Sequence, residues 1–399
     1  MMSTHLLISP QVSYNARMIP HLYIHLPFCH EKCGYCDFAT RTLEVDENQN
    51  QLFEDYFSAL NLDLNSASNF FGAQTFESIY FGGGTPSVVP VKYLEDFFST
   101  IRKQHVIAEN AEITVECNPN SLTAEKIASY KSLGIKRISL GAQTLHEELF
   151  ATLGRIHTIK QTINVLELLS STMFPNWSVD LMFGLPHQTL EQLKTDVDKI
   201  LAYAPTHISI YGLILEKQTA FGKKFQVNQF PLPSEDVEAA MYEFLLTELP
   251  KRGYNNYEIS NFSQPSFESR HNQSYWQNKN YLGLGISAAS LVDGQRFAHT
   301  QNLSKYLQKP THNYPHLMER PLMKSERLSE KLFLMLRTRE GLRETELDVW
   351  EHDQFVSHRA NNLKKWLNSG HLRHDPKTAT WTLTTQGKLL ANEIMAGLV

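Results

Sequence analysis

Three of the chain's four cysteines, Cys29, Cys33 and Cys36, lie close together directly after the first predicted strand. A cubane iron–sulfur cluster contains four irons and takes thiolates as its preferred protein ligands. Three cysteines on one loop can hold three irons, which leaves the fourth iron open to a small chelating molecule. S-adenosylmethionine (SAM) fits that position through its amino and carboxylate groups, and an electron from the cluster can cleave its sulfonium to a deoxyadenosyl radical. The spacing therefore predicts a [4Fe–4S] cluster with SAM as cofactor.

A zinc site is the main alternative for these cysteines, with His25 or His30 as the fourth ligand. Structural zinc sites normally combine two pairs of ligands. The sequence offers no second cysteine pair, because Cys117 stands alone. The cysteines could also be small buried apolar residues, as we expect for Cys117. The spacing favours the cluster and leaves both alternatives open.

Short apolar segments alternate with amphipathic helical segments through the first half of the chain. The predicted strands are Leu22–Leu26, Ser78–Phe81, Ile113–Glu116, Arg137–Leu140, Ser178–Met182 and His207–Leu213. This alternation predicts an α/β fold with a parallel sheet that is buried on both faces. The pattern does not decide between an open sheet and a full or partial barrel. In each case, ligands collect at the carboxyl ends of the strands.

Polar or glycine residues follow most of these strands. They are Gly83, Gly84 and Thr85 after the second strand, Glu116, Gln143 and Asp180 at the next three, and Arg155 further on. Glycines let a backbone approach a ligand and present amide groups to an anion. A carboxylate in an apolar strand is costly unless it is paired or bound to a ligand. Each residue alone could be a turn, a helix cap or a satisfied core group. Together they predict a pocket beside the cysteines.

Composition excludes several classes of partner. The formal net charge is −5 with no long run of one sign, so we expect no nucleic-acid binding and at most peripheral membrane contact. We find neither a long apolar segment nor a secretory signal in the sequence. One tight cysteine cluster in a long chain is typical of metal ligation in a reducing compartment. We therefore expect a cytoplasmic protein.

The chain divides into four predicted parts. Residues 1–20 form an N-terminal extension, 21–230 the α/β part, 231–324 an α+β extension, and 325–399 a mostly helical C-terminal domain. In the last part, a helix over Val356–Leu367, a hairpin through Trp381 and a helix over Thr385–Ala396 resemble a winged helix. Because this part is not notably basic, we interpret it as a packing domain.

The cysteine motif resembles the signature of the radical-SAM superfamily, Cys-x3-Cys-x-Tyr-Cys after the first strand. The other motifs resemble the branch of oxygen-independent coproporphyrinogen III oxidases and their HemW-type relatives. The resemblance covers roughly residues 21–395 and implies a partial TIM-type barrel of six βα units. It assigns SAM contacts to Tyr23, Tyr35, Gly83, Gly84, Thr85, Glu116, Gln143, Arg155 and Asp180, with further contact positions at Gly212 and Ala289.

Two features favour the HemW-type haem chaperones over the oxidases. In the resemblance, the oxidases carry the longer motif Cys-x3-Cys-x2-Cys-x-Cys. This chain has Phe38 in place of the last cysteine. Residues 270–276 match the His-Asn-x-x-Tyr-Trp motif that the resemblance links to haem, which makes His271 the expected axial ligand. Ala289 stands where the family form has histidine, so we assign no histidine role there. Because a chaperone must release its cargo, we expect His271 to be accessible.

Two functions follow from the resemblance. The favoured one is a haem chaperone that holds haem and a SAM-ligated [4Fe–4S] cluster and delivers the haem to an unidentified acceptor protein. The alternative is a radical-SAM oxidoreductase that decarboxylates coproporphyrinogen III to protoporphyrinogen IX. Either protein would need an electron donor if it used the radical reaction. Whether the protein is an enzyme stays open at this point.

Overall fold

The computed structural model describes residues 18–44, 48–172, 174–226, 231–308, 323–348 and 356–398. Most of the predicted N-terminal extension, residues 1–17, lies outside the described residues. Residues 349–355 and 399 of the predicted C-terminal domain lie outside them as well. All structural statements below concern the described ranges.

Strands are short, and those at the centre of the fold are apolar. In chain order they are β1 His21–Leu26, β2 Phe28–Cys29, β3 Arg41–Thr42, β4 Thr75–Gly83, β5 Val106–Cys117, β6 Arg137–Gln143, β7 Asn176–Phe183, β8 His207–Gly212, β9 Asn255–Asn256, β10 Asn261–Ser263, β11 Tyr281–Leu284, β12 Ala289–Val292, β13 Gln295–Ala298, β14 Leu342–Arg343, β15 Leu372–Asp375 and β16 Thr380–Leu383. All seven residues of β6 are buried, as expected for a strand covered on both faces.

Helices connect the strands. They are α1 Gln49–Phe71, α2 Val91–Gln104, α3 Ala124–Leu133, α4 Glu147–Thr152, α5 Ile159–Ser171, α6 Leu190–Leu201, α7 Ala220–Gln226, α8 Glu235–Lys251, α9 Arg270–Trp276, α10 Leu303–Gln308, α11 Lys324–Met335, α12 Glu344–Asp348, α13 Val356–Asn368, α14 Thr385–Leu389 and α15 Ala391–Ala396. Local sequence fixes several of their starts. Thr158 and Thr189 each form a capping box with a glutamine three residues on, which satisfies free amide groups at the N-termini of α5 and α6.

The main sheet follows the order β13-β12-β11-β1-β4-β5-β6-β7-β8-β10-β9. Strands β1 and β4 to β8 run parallel, which confirms the predicted α/β fold with six parallel strands. Strand β11 adds a further parallel strand beside β1, and the outermost pairs are antiparallel. Within the described ranges the edge strands β13 and β9 do not pair with each other, so the sheet is open and not a closed barrel.

The C-terminal part has a hydrophobic core of its own. Leu336, Leu342, Leu363, Leu383 and Ile394 are buried together, apart from the main core. Strands β14, β16 and β15 form an antiparallel sheet that contains the predicted hairpin. The single final helix predicted from the sequence is instead two helices, α14 and α15. The break falls at Leu390, whose backbone departs from helical geometry with a φ of −109°.

No helix within the described ranges combines the length and apolar character that crossing a bilayer requires.

Candidate functional site

The cysteine loop begins in β2, which pairs in parallel with β3. Cys29 is buried, and its Sγ lies 3.4 Å from Thr85 Oγ1, while Cys33 and Cys36 are partly exposed. A backbone hydrogen bond from Cys36 N–H to the Cys33 carbonyl, 3.1 Å long, closes the turn between them. Burial raises the pKa of the Cys29 thiol to about 11 and raises the pKa of Cys36. These groups are therefore protonated thiols at neutral pH, and a metal must displace their protons on binding.

One cavity of about 700 Å³ lies at the carboxyl ends of the parallel strands. It falls within the size range of small-molecule sites. The sequence-predicted residues that line it are Cys29, Cys33, Tyr35, Cys36, Gly83, Gly84, Thr85, Glu116, Gln143, Arg155, Asp180 and Gly212. Residues that are up to 183 positions apart in the chain thus line the same cavity. Tyr23, Ala289 and His271 are not part of this lining.

Glu116, the penultimate residue of β5, is half-buried and faces the cavity. Its carboxylate accepts a hydrogen bond of 2.7 Å from the Tyr80 hydroxyl and one of 3.1 Å from the Gly83 amide. Burial raises the pKa of Glu116 to about 7. Gly83 has a φ of 108°, and a Cβ there would lie 2.5 Å from the His25 ring, so the position requires glycine. Because its pKa lies near neutral pH, this carboxyl group is partly ionised there and can pair with a cationic ligand.

Gln143 ends β6 with a strained backbone. Its φ is 70°, which is uncommon for a residue with a side chain, and the β6–β7 register shifts between Gly141 and Gln143. Such irregularities re-aim a side chain and cluster at functional sites. Next to it on β7, Asp180 accepts a hydrogen bond of 3.0 Å from Ser139 Oγ. Burial raises the pKa of this carboxyl group as well.

Arg155 brings a half-buried cation to the cysteine loop. Its guanidinium donates to Asn118 Oδ1 at 3.2 Å and to the Tyr35 hydroxyl at 3.1 Å. Its Nε has no hydrogen-bond partner, and the same holds for His157 Nε2 and Asn120 Oδ1. All three residues line a small cleft that reaches Cys33. Because buried polar groups are normally hydrogen-bonded, unpaired groups of this kind suit a polar or anionic ligand.

The donor set fits a cubane better than a single metal ion. No three His, Cys, Asp or Glu side chains in the described part of the chain lie close enough together to hold one ion. A cubane needs one thiolate at each of three separate irons, so its ligands need not meet at one point. His25, a zinc ligand in the alternative, is engaged on both ring nitrogens, by Tyr23 Oη at 3.1 Å and by the Ala39 carbonyl at 2.8 Å.

His271 lies on α9, and the expectation that it is accessible is wrong. Its side chain is 0% exposed. Nδ1 lies 2.7 Å from Ser78 Oγ and Nε2 lies 2.8 Å from the Tyr275 hydroxyl, so both nitrogens are engaged. The ring stacks on Tyr80 with centroids 5.0 Å apart, and burial lowers its pKa to about 3. The physical reason is that α9 packs against β4, with its first amides bonded to the Glu112 carboxylate.

Two other predicted contacts lie away from the cavity. Tyr23 lies behind Tyr80, on which its ring stacks with centroids 6.2 Å apart. Ala289 lies on β12 opposite Ala298, on the far side of β11. In this structure neither residue touches the space beside the cysteines, so SAM contact by either one stays a prediction.

Sequence reasoning missed several residues that line or support the cavity. They are Tyr80, Asn118, Arg137, Tyr211, Asn272, Arg337 and Asn392. Tyr80 was detectable, because strand alternation places it on the same face as Ser78 and Gly82. Arg337 and Asn392 carry no local signal, since they reach the cavity only through the packing of the C-terminal part.

Comparison with known proteins agrees with this geometry. Residues 23–200 match the model of the radical SAM superfamily. The chain is 38% identical over 320 residues to the heme chaperone HemW of Lactococcus lactis subsp. lactis (strain IL1403), covering 80% of this chain and 82% of that protein. The chain belongs to the HemW family of radical-SAM proteins. The chain is also 32% identical over 381 residues to the heme chaperone HemW of Bacillus subtilis (strain 168), covering 94% of this chain and 98% of that protein. The family prediction made from the sequence is confirmed.

A solved structure supports the fold over nearly the whole chain. The coproporphyrinogen III oxidase HemN from Escherichia coli, a radical SAM enzyme, superposes with a TM-score of 0.79 at 20% sequence identity. The match covers 96% of this chain and 90% of the oxidase. At that identity the likeness concerns the fold alone. HemW-family membership and a shared fold with the oxidase together confirm the predicted radical-SAM barrel.

Proposed function

We propose that the protein is a haem chaperone that binds haem together with a SAM-ligated [4Fe–4S] cluster and delivers the haem to an acceptor protein. The observation that carries this proposal is its 38% identity over 82% of a protein named heme chaperone. Position 38 adds support, because the oxidase's further cysteine is replaced by Phe38. That side chain is 65% exposed at the rim of the cavity.

The cluster would be held by Cys29, Cys33 and Cys36, with SAM at the fourth iron. When bound, the cluster supplies a single electron to the cofactor. The remaining roles belong to this chain's own groups. The unpaired Nε of Arg155 is suited to the carboxylate of the cofactor, and the Glu116 carboxylate is suited to its ammonium group. Gly83 and Gly84 line the cavity, which suits an approach of the methionine part to their backbone.

The role of His271 as haem ligand stays a proposal, and the structure adds a condition to it. Both ring nitrogens are occupied, so ligation requires that Nε2 leave Tyr275 or that Nδ1 leave Ser78. The short helix α9 would have to move or unwind for this to happen. We expect an imidazole that is freed in this way to bind iron as a neutral ligand, the form in which histidine ligates metals.

Radical-SAM decarboxylation of coproporphyrinogen III is the second candidate. The cavity continues beyond the predicted cofactor contacts to Tyr211 and Asn272, which leaves space for a substrate beside SAM. In this case the protein would be an oxidoreductase that needs an external electron donor. The missing fourth cysteine counts against this candidate.

We further propose that the protein acts in the cytoplasm, in porphyrin metabolism. All four cysteines are free thiols, which suits a reducing compartment. The partners would be haem and a haem-accepting protein, with an electron donor if the radical reaction is used.

The experiment is an anaerobic haem titration of the cluster-reconstituted protein, followed by visible absorbance. A haem chaperone should give a saturable Soret band with the cluster absorbance retained. A matched incubation with SAM, a reductant and coproporphyrinogen III should give no protoporphyrinogen. Conversion of the porphyrinogen without haem binding would establish the second candidate instead.

A further inference from the structure

The cavity extends past the cofactor contacts to the C-terminal part of the chain. Its far wall includes Arg337, just after α11, and Asn392 on α15. Arg155 contacts the cysteine-loop residue Tyr35, whereas Arg337 directly follows Leu336 of the separate C-terminal core. The two arginines therefore lie in different walls of the same cavity.

Arg337 is a half-buried cation with neutral neighbours only. Its guanidinium lies over the Phe333 ring, 3.6 Å from the centroid, and donates 2.8 Å to Asn392 Oδ1 and 3.3 Å to the Phe333 carbonyl. It forms no ion pair with any carboxylate in the described ranges. Burial lowers the pKa of Arg337 to about 10, so it stays charged at neutral pH. A half-buried guanidinium that lines a cavity without a carboxylate partner is suited to an anion.

The surroundings of this cation narrow the class of ligand. Phe183 and Tyr242 stack with centroids 5.8 Å apart in the cavity wall, and Tyr211 and Ile259 add apolar surface. A second arginine, Arg137, is 3% exposed and donates only to neutral groups, Asn176 Oδ1 at 3.0 Å and the Phe267 carbonyl at 3.2 Å. Apolar and aromatic walls with cations nearby fit a flat apolar molecule that carries carboxylates on its edge.

We propose that Arg337 binds a propionate carboxylate of the tetrapyrrole, with Asn392 orienting the guanidinium. This proposal rests on the proposed haem function and adds to it the groups that recognise the ligand. Asn392 and the Phe333 carbonyl each accept one hydrogen bond from a different Nη, which leaves Nε–H and the second proton of each Nη for a carboxylate. The C-terminal part thereby contributes directly to binding, instead of serving only as the packing domain expected from the sequence.

The test compares haem with haem dimethyl ester, whose propionates cannot ionise. The wild-type protein should bind haem at least about tenfold more tightly than the ester, as expected for a charge-assisted hydrogen bond. In Arg337→Gln this preference should fall to near unity, mainly through weaker haem binding. Arg337→Lys should keep part of it, because the charge remains. Arg343→Gln is the matched control, since Arg343 is exposed on β14 in the same part of the chain.

Two measurements keep this test independent of folding and of the cofactor. The thermal unfolding midpoint and cluster absorbance of Arg337→Gln should match those of the wild type. Its SAM affinity, followed by the paramagnetic signal of the reduced cluster, should also be unchanged. A full preference for haem in Arg337→Gln would overturn the assignment, as would weakened SAM binding with unchanged haem binding. A wild-type protein that binds neither haem nor the ester would contradict the proposed function itself.

Discussion

The small cleft beside Cys33 and the environment of His271 differ in how their buried polar groups are paired. In the cleft, Arg155 Nε, His157 Nε2 and Asn120 Oδ1 have no hydrogen-bond partner among the described residues. Around His271, both ring nitrogens are engaged at 2.7 and 2.8 Å. An unpaired buried polar group costs about 1–3 kcal/mol, so it persists where a ligand completes it. The difference marks the cleft beside Cys33 as a site that suits a polar ligand and His271 as a group whose hydrogen bonds are complete.

These two regions are nevertheless connected. Tyr80 donates to Glu116 in the cavity and stacks face to face on His271. A movement of His271 toward haem would remove the surface that holds Tyr80, and with it one partner of the Glu116 carboxylate. Haem ligation by His271 and cofactor binding at Glu116 should therefore influence each other, because coupling between two sites is reciprocal.

The largest expected effect is on the cavity side. Cys33→Ala should lose the cluster, because a cubane anchored by two thiolates lacks one of its three protein ligands. Anaerobic reconstitution of the wild type should give about four irons per chain, from the composition of a cubane. Cys117→Ala is the control and should keep the full iron and sulfide content. Full iron content in Cys33→Ala would remove the basis of the cluster assignment.

On the other side of the comparison, His271→Ala should destabilise the protein whether or not haem is added. It removes the Tyr275 hydroxyl's partner, leaves Ser78 with His21 alone and opens a space under Tyr80, which should lower the free energy of unfolding by about 2–4 kcal/mol. Denaturant unfolding of the apoprotein measures this loss. Asn272→Ala, on the same helix but at the cavity wall, should cost much less. Equal stability of both variants would show that His271 is not the fixed group described here.

Cofactor affinity should depend on pH through Glu116. Burial raises the pKa of this carboxyl group from 4.5 to about 7, so the folded protein retains a proton that the unfolded chain has released between these values. This contribution to stability is present below pH 4.5 and is lost as pH rises through 7. Cationic SAM requires the ionised form, so its affinity should rise about tenfold per pH unit up to pH 7 and then level off.

The matched variant for this prediction is Glu116→Gln, which cannot ionise. It should bind SAM weakly and with little dependence on pH. Asp180→Asn tests whether the second carboxylate in the cavity wall contributes, since its pKa is raised as well. A steep pH dependence that survives in Glu116→Gln but disappears in Asp180→Asn would transfer the role to Asp180.

The smallest expected effect is on haem affinity and concerns the hydrogen bond at His271 itself. Tyr275→Phe removes the hydroxyl that occupies Nε2 and keeps the ring. If His271 ligates haem after leaving Tyr275, this variant should bind haem a few-fold more tightly, because a competing hydrogen bond of about 1 kcal/mol is gone. If His271 is structural only, haem affinity should be unchanged while stability falls slightly. A haem titration followed at the Soret band separates these outcomes.

The sequence predicted the strands and the cavity lining well because both depend on local patterns. A short stretch of sequence is enough to recognise each buried strand and the residues that end it. Parallel strands then bring these ends to one edge of the sheet. The strain at Gln143 was not predictable, since it comes from a register shift against β7. The burial of His271 was missed for a similar reason. Its partner Ser78 lies 193 residues earlier, and only the packing of α9 on β4 brings them together.

The most direct test of the central claim is an anaerobic haem titration of the reconstituted protein, with visible absorbance and cluster content recorded in the same sample. We predict a saturable Soret band of about one haem per chain, with the cluster absorbance retained. Addition of SAM should then alter the paramagnetic signal of the reduced cluster. A protein that binds no haem, and that instead converts coproporphyrinogen III to protoporphyrinogen IX with SAM, would contradict the chaperone account.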